Sequence, residues 1–281
     1  MVKLPCGICN ACKMNRSQQW AIRCYHEAQM YEKSDRENSF ITLTYRDENL
    51  PEHSSLVKAD WQKFVKRLRT YESRQNKRAP RKFKYFHCGE YGGKTGRPHY
   101  HAILFGYNFD DRRYLHDSPA GGRLYQSETL DELWKNGFAT IGDVTFASAA
   151  YVARYCMKKN GSTKDYNDLD IETGEIHPIT PEYLTMSRGQ EKGARGIGYS
   201  WYEMYKDETY RDDYVVIEGS KYRPPKYYDT LLEEEDPERY AEVKRKRLEY
   251  TAQNVHNLED ARLQAKEQIL KTQLKSLKRS L

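Results

Sequence analysis

The chain has 281 residues, with 47 Lys and Arg against 41 Asp and Glu for a net charge of +6, a length that suits one large domain or two small ones at about 100–200 residues each. Apolar residues amount to 38% even with the 24 tyrosines counted, against roughly 45–50% in an ordinary globular domain, so the core is small for the length. No window holds the roughly 20 consecutive apolar residues of a membrane span, and MVKLPCGICNACK has no apolar run of a secretory signal; a cytoplasmic protein with reduced thiols is expected, without disulfides or a membrane partner.

Cys6, Cys9 and Cys12 come first, spaced three residues apart. A structural zinc site needs four ligands; Cys24 or His26 could supply the fourth. The alternative is a set of free thiols, and an iron–sulfur cluster would lack its usual fourth cysteine. Residues 14–32 read as a helix with Trp20, Cys24, Ala28 and Tyr31 on one apolar stripe. Ser39–Tyr45, rich in β-branched and aromatic residues, reads as a strand.

Val57–Arg69 reads as a second helix, with Val57, Trp61, Phe64, Val65 and Leu68 on its apolar face. Around it lies the basic peak of the chain. Between Lys58 and Lys84 eleven basic residues stand against Asp60 and Glu72, the charge density expected for a phosphate-backbone partner. Lys63, Lys66, Arg67 and Arg69 of this helix, together with Arg97, are the candidate DNA-binding residues. The bland alternative is a solvated helix face.

Phe83–Tyr91 and Pro98–Tyr107 read as a hairpin around Gly92-Gly93-Lys94-Thr95-Gly96. That turn ends like a phosphate-binding loop, but the loop would need Gly where Cys88 stands, and it would have to open a helix. No nucleotide binding is expected. A short helix near Leu130–Trp134, a strand at Phe138–Val144 and a helix from about Ala147 to Lys159 follow. Residues 160–180 read as a loop, SRGQEKGARGIG within Pro181–Trp201 as too glycine-rich for a regular element, and Lys221–Asp229 as proline-interrupted. From Pro237 onward the composition is that of one long charged helix.

Two constellations carry chemistry. His99 and His101 are two apart on a strand, so they share a face. Glu90 on the partner strand has the parity of Cys88 and Phe86, which match Ile103 and Phe105 as a buried face. Two imidazoles and a carboxylate would hold Mg²⁺ or Mn²⁺ with positions open to phosphate oxygens; two ordinary strand histidines are the alternative. On the helix from Ala147, Tyr151 and Tyr155 are neighbours at i and i+4, and Lys158 shares their face. A phenol can attack phosphorus, but with a pKa near 10 it needs help from positive charge. The alternative is a tyrosine-rich core stripe.

These motifs, in this order, resemble the HUH endonucleases. Within that superfamily the chain is similar to the rolling-circle replication initiators of the gokushovirus branch of the microviruses, small single-stranded DNA bacteriophages. The likeness rests on PCGICNACKMNRSQQWAIRCYHEA, FITLTYRDENLP, WQKFVKRLR, GEYG with RPHYHAILFG, WKNGFATIG, AAYVARYCMKK and SRGQEKGARGIG, over about residues 5–200. It implies an α+β fold: a central antiparallel sheet carrying the histidine pair, helices packed on one face, and a helical C-terminal extension. Residues 1–205 would form the endonuclease domain, with the Cys-rich segment, and 206–281 the extension. FITLTY would be a strand beside the active site.

The resemblance further implies a nick in single-stranded origin DNA. A tyrosine would become a 5′-phosphotyrosine and leave a 3′-OH, and a second tyrosine would rejoin the displaced strand. Tyr151 and Tyr155 would alternate, with Tyr155 and its Lys158 favoured for the first cut and Lys159 a weaker substitute for Lys158. Glu90, His99 and His101 would hold the metal, and single-stranded DNA would run along the basic helix. A host helicase and polymerase in the bacterial cytoplasm would complete the system. The rivals are an HUH transposase or relaxase, and a non-catalytic zinc-containing nucleic-acid-binding module.

Overall fold

A computed structural model describes residues 5–93, 95–118, 121–154, 167–169, 174–187 and 195–276. The first helix, α1, is Asn10–Glu32. Strand β1 (Ser39–Tyr45) and helix α2 (Lys58–Gln75) lead to the hairpin β2 (Lys84–Tyr91) and β3 (Pro98–Phe105). Next come β4 (Arg113–Asp117), β5 (Arg123–Gln126), α3 (Glu128–Leu133), β6 (Gly137–Gly142) and α4 (Phe146–Ala153). The short strands β7 (Asn167–Leu169) and β8 (Ile176–Pro178) pair within the stretch read as loop, and β9 (Tyr183–Met186) ends just before the glycine-rich segment.

Seven strands form one antiparallel sheet in the order β4-β5-β6-β1-β3-β2-β9. Side chains alternate between its faces, as the pleat requires, and each face has its own core. Ile41, Leu43, Tyr45, Tyr100, Ala102 and Leu104 pack on one side against Trp61, Phe64, Val65 and Leu68 of α2 and Leu130 and Leu133 of α3. Phe40, Phe86, Cys88, Ile103 and Phe105 pack on the other against Ala21, Cys24 and Ala28 of α1 and Ala149, Val152 and Ala153 of α4. Helices therefore cover both faces, not the single face expected. The reason is visible in β1 and β3, which bury residues of both parities.

The C-terminal third differs more from expectation. Helix α5 (Tyr199–Asp212) starts directly after Gly198, the last residue of the glycine-rich segment, and runs across the expected boundary at 205/206. A hairpin of β10 (Val215–Ile217) and β11 (Ser220–Tyr222) follows. The segment read as proline-interrupted forms α6 (Lys226–Glu235), because its prolines precede the first turn, where no backbone donor is lost. The long charged helix is divided. Helix α7 (Pro237–Gln253) stops at a 3₁₀ turn over Val255–Leu258, and α8 is Asp260–Ser276. Tyr202, Tyr210, Tyr228, Leu231, Leu232 and Val243 make a separate small core for these helices.

Candidate metal and tyrosine site

The hairpin register sets the site. Glu90 lies opposite His99 and Cys88 opposite His101, all on the α1/α4 face. Glu90 is buried, and its Oε1 receives both imidazoles: His99 Nε2 at 2.7 Å and His101 Nε2 at 2.9 Å. One ligand atom from each of the three residues falls within 4.8 Å of the others. His87, one step off this parity, faces the other way, stacked on Trp61 with ring centroids 3.8 Å apart.

The second imidazole nitrogens are also engaged. His99 Nδ1 donates to the Arg97 carbonyl at 3.0 Å, and His101 Nδ1 bonds the Thr42 hydroxyl at 2.9 Å. A carbonyl only accepts, so His99 is protonated at Nδ1, and its Nε2 meets Glu90 either through a second N–H, as the imidazolium, or as a lone pair shared with a bound cation. Two acceptors 2.7 Å apart need a proton or a cation between them. Burial alone would raise the Glu90 pKa, but the bonds from His101 and His99 outweigh it and hold it at about 2. Burial works against charge on both histidines; Glu90 overcomes it at His99, whose pKa rises, but not at His101, whose pKa falls. The three side chains thus fit a divalent cation bound through two imidazole nitrogens and a carboxylate.

Tyr151 comes to the same oxygen. Its phenol donates to Glu90 Oε1 at 3.0 Å and lies 3.5 Å from His101 Nε2. Burial, and next the Glu90 charge, raise its pKa, so the phenol stays protonated. Helix α4 is aimed by its first turn. Thr145 Oγ1 accepts from Ser148 N at 3.1 Å while Ser148 Oγ accepts from Thr145 N at 2.8 Å, a reciprocal cap. Tyr155 and Lys158 lie outside the described residues, as does Lys159.

Two contributors escaped the sequence reading. Thr42 is the first, on the strand expected beside the site. Arg154 is the second; its guanidinium carbon sits 5.1 Å from the Tyr151 ring centre. Burial lowers its pKa, and Tyr151 and Glu90 partly offset that. Its i+3 spacing from Tyr151 was the available signal.

The basic helix is not brought to this site. Helix α2 packs on the opposite face of the sheet, so Lys63 and Lys66 are exposed on the far side. Arg67 Nε donates to the Leu133 carbonyl at 2.6 Å, and the Arg69 guanidinium lies 5.7 Å from the Phe83 ring centre. Arg97 does approach the site, but as a clamp: it donates to the Tyr45 carbonyl at 2.8 Å and pairs with Asp47 at 2.7 Å.

At the N-terminus Cys6, Cys9 and Cys12 also bring their sulfurs within 4.8 Å of one another. Cys24 is elsewhere, fully buried against the sheet. His26 is buried too, its ring stacked on Trp201 and its Nδ1 bonded to the Tyr228 hydroxyl at 3.0 Å. Neither expected fourth ligand joins the trio.

The family model for replication-associated proteins of the ORF2 type matches residues 38–160, from β1 through the tyrosine helix. Replication-associated protein VP4 of Bdellovibrio phage phiMH2K is 35% identical over 240 residues, covering 85% of this chain and 70% of that protein. The chain belongs to the phage replication-associated proteins. Two further members of the family are similar. Replication-associated protein ORF2 of Spiroplasma virus 4 is 35% identical over 247 residues, 83% of this chain and 68% of its own. Replication-associated protein ORF4 of Chlamydia phage 1 is 31% identical over 258 residues, 87% of this chain and 59% of its own. No solved structure matches. The resemblance drawn from the motifs holds at the level of the family, and the family segment contains Glu90, His99, His101 and Tyr151.

Proposed function

We propose that this replication-associated protein initiates phage DNA replication by nicking a single-stranded origin through tyrosine transesterification. The observation that carries the reading is the convergence of His99, His101 and Tyr151 on one Glu90 oxygen. Glu90, His99 and His101 would hold Mg²⁺ or Mn²⁺, which supplies positive charge to a non-bridging oxygen of the scissile phosphate. Tyr151 Oη forms the new bond to phosphorus and gives up its proton. The bond from phosphorus to the 3′ oxygen breaks, and that oxygen takes up a proton to leave a 3′-OH. Arg154 stabilises negative charge on the phenol and phosphate oxygens, the kind of electrostatic help on which phosphoryl transfer chiefly depends. Tyr155, which the resemblance favours with Lys158 for the first cut, would do the same chemistry, and the two tyrosines would alternate, one cutting and the other rejoining.

Synthetic single-stranded DNA in Mn²⁺ tests this. A protein–DNA adduct that survives denaturant, requires metal and is abolished in the Y151F/Y155F double variant supports the reading. An adduct from the double variant overturns the tyrosine assignment. Binding without any adduct supports the non-catalytic module instead. Since the sequence has no phosphate-binding loop, strand separation would fall to a host helicase and extension to a host polymerase. No helix among the described residues is long and apolar enough to cross a membrane, and the host cytoplasm is the proposed compartment.

A second metal site is proposed at the cysteine trio. Zn–S bonds of about 2.3 Å in a tetrahedron place sulfurs roughly 3.8 Å apart; Cys6 and Cys12 sulfurs are 4.0 Å apart. Cys6 Sγ accepts from the Cys9 amide at 3.3 Å. Bonds from the Cys9 and Ile8 amides lead the causes that lower the Cys6 pKa to about 7, favouring thiolate. Zn²⁺ bound by three thiolates would tie down the start of α1.

A further inference from the structure

With α2 on the far side of the sheet, the DNA needs another surface. The register supplies one. Thr44 of β1 lies opposite His99 of β3 on one side and opposite Phe138 of β6 on the other. Glu90, His99, Thr44 and Phe138 therefore stand in one row across four strands, on one face. At ~4.8 Å per strand, the Phe138 backbone is two steps, ~10 Å, from that of His99.

Of the eight phenylalanines in the chain, Phe138 alone is exposed, at 59%. Its ring is paired with a cation: the exposed Arg46 guanidinium carbon lies 5.0 Å from the ring centre. Thr42, Thr44 and Thr140, short and polar, fill the floor between Phe138 and the histidines. The backbone beneath is fixed. Arg46 N donates to the Asn136 carbonyl at 3.0 Å and Thr44 Oγ1 to the Phe138 carbonyl at 3.2 Å. Gly137 allows the close approach of β6 to β1, since a Cβ there would lie 2.2 Å from the Thr44 carbonyl oxygen.

We propose that Phe138 and Arg46 form a stacking platform for a base of the single-stranded DNA, close in sequence to the scissile phosphate. This rests on the nicking role proposed above. The Phe138 ring takes the flat face of a base, and Arg46 adds attraction to the phosphate backbone. The low threonine floor leaves room for the sugar–phosphate chain between platform and metal ligands. Recognition of this kind tolerates any base and excludes duplex, whose bases are already stacked.

The test is fluorescence anisotropy of labelled oligothymidylate with the full-length chain in EDTA, so that cleavage does not intrude. F138A should weaken binding about 10-fold, F138W should restore it, and R46A should weaken it and reduce its salt dependence. A matching duplex should show no difference between native protein and F138A. Binding by F138A within about twofold of native, with an unchanged melting temperature, overturns the platform. The nicking role is read separately, from covalent adducts of the native protein in Mn²⁺. If adducts form and F138A binds like native, only the platform falls. If none form, nicking falls and the EDTA measurement still decides the platform.

Discussion

Tyr151 donates its phenol hydrogen to the same Glu90 oxygen that His99 and His101 approach, at 3.0 Å. The carboxylate is therefore both a candidate metal ligand and the acceptor that holds the phenol in place. A cation at the ligand set would compete with the phenol for that oxygen.

Glu90 is the first residue to test. E90Q keeps the shape but removes the charge that draws a divalent cation. Mn²⁺ affinity by calorimetry should fall by at least about 100-fold, since losing even an outer-shell partner costs 10–100-fold, and adduct formation should fall with it. Unchanged Mn²⁺ affinity would remove Glu90 from the ligand set.

The position of α2 makes a second prediction. K63E/K66E alters charge on the face opposite the histidines. Nicking of a short oligonucleotide should stay within about twofold of native, because surface charges more than a Debye length of ~8 Å away are screened. Binding of long DNA should weaken, and its salt slope should shrink by roughly one for each phosphate that is no longer neutralised. A large loss of nicking on the short substrate would mean that the strand reaches the site over α2 after all.

The hairpin site was legible because a strand has a side-chain period of two. Once Cys88 and Phe86 are matched with Ile103 and Phe105, Glu90, His99 and His101 have no other face to occupy. The position of α2 relative to that face was not legible, because an amphipathic pattern says which side of a helix is buried but not which side of the sheet it covers. Cys24 shows a conflict within the sequence reading itself. Its i+4 spacing to Ala28 puts it on the apolar stripe of α1, while its thiol also suits a zinc ligand. Burial at 0% exposure decides for the stripe. Helix α5 is hidden in the sequence because two of its three buried positions are tyrosines, Tyr202 and Tyr210, which periodicity of aliphatic residues does not register, and α6 because the prolines before its first turn read as an interruption.

The cysteine trio predicts about one zinc per chain in protein purified without chelator. C9S should lose the metal, and the loss should loosen the first turns of α1 in hydrogen exchange while leaving the sheet protected. Metal-free native protein with α1 equally protected would identify the cysteines as free thiols.

The docking of the C-terminal helices on α1 should be sensitive to acid through His26. Its ring lies 3.5 Å from that of Trp201, nearly parallel, and its Nδ1 bonds the Tyr228 hydroxyl. Nearby, Arg23 Nε donates to the Ile197 carbonyl at 3.0 Å, and Glu27 pairs with Lys84 at 2.8 Å and accepts from the Gly198 amide at 2.6 Å. Burial lowers the His26 pKa from 6.5 to about 3. The unfolded chain then takes up this proton before the folded one does. Stability from neutral His26 is full above about pH 6.5 and is lost as pH falls toward 3, by about 1.4 kcal/mol per pH unit in that window. Glu90, whose pKa is lowered from 4.5 to about 2, loses its own contribution only as pH falls from about 4.5 toward 2. Melting curves from neutral pH to about pH 5 therefore isolate the histidines. H26Q should flatten the fall; the slope that remains combines His87 and His101, whose pKa values burial also lowers, with the opposite contribution of His99, whose pKa Glu90 raises against burial. Parallel curves for native protein and H26Q would show that His26 is not the group that acid acts on.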